Sequence, residues 1–79
     1  MGTKQEELQQ PQSALSKAGA TEPVFVLRAQ DKLAPGLVRL WASLAALHGC
    51  NVDKVGEAKR LAADMEAWQY TTRRAKWPD

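Results

Sequence analysis

The chain is poor in the side chains that do chemistry. One cysteine, Cys50, and one histidine, His48, are its whole stock of soft ligands. An internal disulfide is therefore excluded, and a four-ligand zinc site lacks its donors. No glycine-rich phosphate loop and no paired acid–base constellation is present, so the chain reads as non-enzymatic, with no cofactor, no metal and no small-molecule substrate. No apolar run nears the roughly 18 residues of a membrane span. The first residues have neither the apolar core nor the cleavage pattern of a signal peptide. The expected address is the cytoplasm, which a lone thiol also suits.

Charge of one sign is scarce too, at a net +2 over 79 residues. Its distribution is uneven. Residues 1–22 carry a net of −1 and residues 23–68 a net of +1, while Arg73, Arg74 and Lys76 against Asp79 give the last eleven residues +2. A chain of this length makes one small domain. A domain of about 60 residues buries only about 60% of its unfolded surface, so its stability is expected to be marginal without a disulfide, a metal or a partner copy. Self-association is the aid left.

What is there is helical pattern. Leu37, Leu40, Trp41, Leu44, Leu47 and His48 recur at spacings of three and four, an apolar stripe that Ala42, Ala45 and Ala46 widen. Val55, Ala58, Leu61, Ala62, Met65 and Trp68 repeat the pattern after the short turn Leu47-His48-Gly49-Cys50-Asn51. Gly49 suits a helix end that needs positive φ, and Asn51 or Asp53 suits the cap of the second helix. Pro35 fits the first position of the first helix. Pro23 to Arg28 is the one β-rich run, and it either pairs with the tail, pairs with another copy, or lies extended across the helices. Residues 1–21 hold too few large apolar side chains to offset the entropy of ordering them, and Pro11 stops any helix over Gln5–Gln10.

The expected fold is mainly α. It is an antiparallel helical hairpin with an N-terminal extended or β strap, a disordered arm over 1–21 and an irregular C-terminal tail. Within a single domain of 22–79, the strap covers 23–28, the helices about 35–48 and about 52–68, and the basic aromatic tail 69–79.

Function has to be sought on surfaces. Phe25, Leu27 and Trp77 are the candidate partner-binding residues, because two helices alone leave their apolar stripes uncovered and these side chains, or a second copy, must finish the core. A non-enzymatic protein–protein interaction or assembly module, self-associating as a homodimer or bound to another protein, is the leading reading. The alternative is nucleic-acid binding. Leu44-Ala45, Gly49-Cys50 and Val55-Gly56-Glu57-Ala58 share the spacing of a helix-turn-helix, and Arg73, Arg74 and Lys76 with Tyr70 and Trp77 offer charge and stacking. Against it, Asp53, Lys54, Glu57, Lys59 and Arg60 make a near-neutral outer face where phosphates demand a positive one. His48 and Cys50 could form an activated thiolate, but no orienting group or oxyanion donor accompanies them.

The run Glu22-Pro23-Val24-Phe25-Val26-Leu27-Arg28-Ala29-Gln30-Asp31-Lys32-Leu33-Ala34-Pro35, with Glu66-Ala67-Trp68-Gln69 and Trp77-Pro78-Asp79, resembles a set of short uncharacterised proteins encoded in bacterial and temperate-phage genomes. They share an RAQD-x-LAP run followed by a helical hairpin. The likeness covers residues 22–79. It implies a phage or prophage setting and no mechanism.

Overall fold

The computed structural model describes residues 2–9 and 13–78. Four helices follow in chain order: α1 (Lys4–Gln9), α2 (Ala14–Lys17), α3 (Ala34–Leu47) and α4 (Val52–Thr72). The hairpin of α3 and α4 is the body of the protein, as the sequence periodicity predicts. Among the described residues there is no sheet, and no helix is long and apolar enough to cross a membrane.

The hairpin turn is closed by backbone chemistry. His48 caps α3, and Gly49 takes the left-handed φ of 72°. The Gly49 N–H donates to the Ala46 carbonyl and the Cys50 N–H to the Ala45 carbonyl, at 3.1 and 3.0 Å, a Schellman closure. Asn51 rather than Asp53 then caps α4, its side-chain oxygen accepting from the Asp53 and Lys54 N–H groups at 2.8 and 3.3 Å.

Which faces meet differs from the periodic reading. Among the described residues the buried apolar side chains are Ala34, Pro35, Ala42, Val55, Ala58, Ala62 and Met65, with Val38 and Ala45 packed against the cluster of Ala42, Val55 and Ala58. The helices therefore meet along alanines. Leu37, Leu40, Trp41, Leu44 and Leu47, expected to look inward, lie on the other side of α3 and are exposed. The reason is steric. Alanine faces spaced by three and four let two backbones approach closely and gain dispersion contacts without freezing rotamers. The inward face of α4 is itself narrow, built from Val55, Ala58, Ala62 and Met65.

Two further differences concern the ends. Residues 1–21, expected to be disordered, carry α1 and α2, which pack on each other but not on the hairpin. Each has a local cap: the Thr3 hydroxyl accepts from the Glu6 N–H and the Ser13 hydroxyl from the Ser16 N–H, both at 3.2 Å. The stop expected at Pro11 lies outside the described residues. At the other end α4 runs four residues past the expected Trp68. Tyr70 to Thr72, rich in β-propensity, stay helical, and the Thr71 and Thr72 hydroxyls donate back to the Ala67 and Trp68 carbonyls at 2.9 and 2.7 Å. Arg73 ends the helix in the left-handed region at φ 53°, with its N–H on the Gln69 carbonyl.

Candidate functional site

Two neighbourhoods carry the side chains with potential to interact. The first is a joint between the loop before α3 and the chain after α4. Its frame is backbone. Asp31 folds the loop, accepting the Leu33 N–H on Oδ1 at 2.8 Å and the Ala34 N–H on its carbonyl at 3.0 Å. The Lys76 N–H donates to the Gln30 carbonyl at 2.8 Å and the Lys32 N–H to the Lys76 carbonyl at 2.9 Å, a single parallel bridge around Asp31. Gln69, on the last turns of α4, clamps this arrangement. Its Nε2 donates to the Ala29 and Asp31 carbonyls at 2.7 and 2.9 Å. Two lone pairs on the Asp31 carbonyl thus serve Gln69 and Ala34 at once.

Cations rest on the aromatic rings here. The Lys32 ammonium lies 5.1 Å from the Trp77 ring centre and the Arg74 guanidinium 5.5 Å from that of Trp68. An open hollow of about 220 Å³ lies between Val26, Arg28, Asp31, Lys76 and Trp77. That is below the ~300–1,000 Å³ of small-molecule pockets.

The sequence-derived candidates are distributed unevenly over this joint. Trp77 and Lys76 sit within it. Leu27 is half-buried, whereas Phe25 is 84% exposed and does not close the core. The residues preceding the joint, 22–28, have no regular structure. Arg73 forms the end of α4, and Arg74 is laid on Trp68. Asp79 lies outside the described residues. At the hairpin turn Cys50 is exposed, with its N–H spent on the Schellman closure. On the outer face of α4 the signs are mixed, and Glu57 pairs with Lys54 at 3.4 Å rather than with Arg60.

The second neighbourhood is the outward side of α3. Leu33, Leu37, Leu40, Leu44 and Leu47 follow one another at steps of four, three, four and three, with Trp41 on their flank, and each of the six is between 42 and 78% exposed. Arg39 is the one charged side chain in α3, and it is turned away to hydrogen-bond Glu66 of α4. That contact raises the Arg39 pKa and holds the Glu66 carboxyl below the usual carboxylate range. The outward face is thus free of charge. Sequence reasoning found most of these leucines but assigned them to the core. Their departure from it had one signal, the unbroken alternation of steps that includes Leu33. Gln69 was missed altogether, since a glutamine beyond the expected helix end gives no sign of its partners.

Comparisons of the chain with protein-family models, curated proteins and solved structures give no match.

Proposed function

We propose that this chain is a small non-enzymatic interaction or assembly module that finishes its hydrophobic core against another polypeptide, a second copy of itself first among them. One observation carries the reading. Most of the large apolar side chains are exposed or only half-buried, while the core contains four alanines, Val55 and Met65 and, among the described residues, has no large side chain fully buried. Such a core is thin for an independent domain, because each alanine removes little apolar area from water. The apolar area that would complete it is present but faces outward. The segment 22–28, which leads into the joint of Asp31 and Lys76, is the strap of this reading, and it adds exposed Val24, Phe25 and Val26 to the surfaces on offer.

A phage or prophage origin and a cytoplasmic address belong to the same proposal, the first resting on the RAQD-x-LAP likeness. Nucleic-acid binding has less behind it. Of the two rings offered for stacking, Trp77 already holds Lys32 and Tyr70 is left exposed, Arg74 is laid on Trp68, and the outer face of α4 is of mixed sign.

Sedimentation equilibrium of the full chain tests the proposal. The expected mass is a multiple of 8.7 kDa at micromolar concentration. A stable, fully helical monomer at high micromolar concentration, with salt-dependent binding to DNA or RNA, would replace this reading by the nucleic-acid one.

A further inference from the structure

We propose that the outward face of α3 is a coiled-coil seam that packs antiparallel against the same face of a second copy, with the two-fold axis between Leu40 and Leu44. The inference rests on the assembly reading above and names the surface that performs it.

The spacing carries the first part. Leu33, Leu37, Leu40, Leu44 and Leu47 occupy successive a and d positions over two heptads, the pattern by which knobs of one helix enter holes of another. The seam is about 21 Å long at the helical rise. A segment of α4 cannot be its partner, because α4 is already engaged by the alanine side of α3. A helix that is apolar on both sides is one that is buried on both. Nothing on the leucine side opposes burial, since Arg39 is turned to Glu66 and no other charge lies on α3.

Area carries the second part. The five leucines and Trp41 leave on the order of 600 Å² exposed, at the top of the ~300–600 Å² of the largest patch on a typical monomer and most of the ~800 Å² per partner of a standard interface. The strap offers no comparable face, since its apolar residues are followed at once by Arg28.

Symmetry and charge choose the orientation. The four leucines inside α3, Leu37, Leu40, Leu44 and Leu47, are spaced symmetrically about the midpoint between Leu40 and Leu44. An antiparallel two-fold pairing sets each a position beside a d position of the partner, Leu40 by Leu44 and Leu37 by Leu47, so these four knobs all meet a leucine, with Leu33 extending the seam at the N-cap. It also opposes the two helix dipoles. A parallel pairing would bring the two joints together at one end, with Arg28, Lys32, Arg74 and Lys76 of each copy side by side. The result is a flat four-helix layer in which each α4 lies outside and keeps its charged face in solvent.

The experiment compares the full chain with Leu40→Glu by sedimentation equilibrium and circular dichroism. Leu40 is exposed in the single chain, so the variant is expected to keep its helicity, while two carboxylates buried against leucines beside the axis weaken the dimer by at least about 100-fold. As a second measurement, Leu40→Cys combined with Leu44→Cys in a Cys50→Ser background is expected to oxidise to a covalent dimer, and Arg60→Cys in the same background is not. A dimer unmoved by Leu40→Glu but lost in Trp77→Ser overturns the seam and leaves the assembly reading standing. A wild-type monomer at high micromolar concentration overturns the seam whatever else covers the face, a different protein or a lipid surface included.

Discussion

Gln69 shows how much of this small fold depends on one uncharged side chain. Its amide nitrogen reaches two carbonyls some forty residues earlier in the chain, Ala29 and Asp31, and so ties the end of α4 to the loop that starts α3. The bonds are half-buried, where an unmatched carbonyl costs more than at the surface. Gln69→Ala is expected to lower stability by about 1–3 kcal/mol in urea unfolding. It should also speed hydrogen exchange at the Lys32 and Lys76 amides, which bridge the same joint, while leaving the middle of α3 protected. Equal loss of protection in both places would mean that the joint and the hairpin open as one unit. None of this is visible in residue types, since a glutamine after an apolar helical stripe is as easily a solvated end. The caps are a different case. Gly49 acts within a few residues of itself and its type alone names its role, while residue type left Asn51 and Asp53 both open as the cap of α4 until the bonds to Asn51 decided it.

At the scale of the element, α3 is a helix with two apolar sides. Its alanine side, through Val38, Ala42 and Ala45, meets Val55 and Ala58 of α4, and its leucine side meets solvent in the single chain. The alanine contact works by proximity, so bulk is what it cannot accept. Ala58→Leu is expected to cost about 1–3 kcal/mol by overpacking, whereas Ala63→Leu, on the exposed side of the same helix, should stay within about 0.5 kcal/mol. Chemical denaturation of the two variants checks the contrast, and equal effects would place the contact elsewhere on α4. Periodicity predicted both helices and the turn between them, because backbone hydrogen bonding and capping are local. It could not rank the two apolar sides of α3. Larger side chains usually seek the core, and only the small complementary face of α4 reverses that order here.

For the whole molecule, the arrangement leaves stability and association linked. A chain whose leucine face is covered only by a second copy gains from mass action, so its melting temperature should rise with concentration. Thermal unfolding over a hundredfold range of concentration is expected to show that rise for the native chain and none for Leu40→Glu. A concentration-independent transition in both would mean that the hairpin is stable alone. The sequence by itself determined the helical hairpin, its turn and the surplus of apolar side chains over what one hairpin can bury, because each follows from local geometry or composition. Only the tertiary structure decided which side of α3 is inside, how far α4 runs, and that Gln69, Asp31 and Lys76 knit the two ends of the domain. Those outcomes depend on contacts between residues 13 to 46 apart, where the fit of one surface to another, rather than the character of either stretch, sets the free energy.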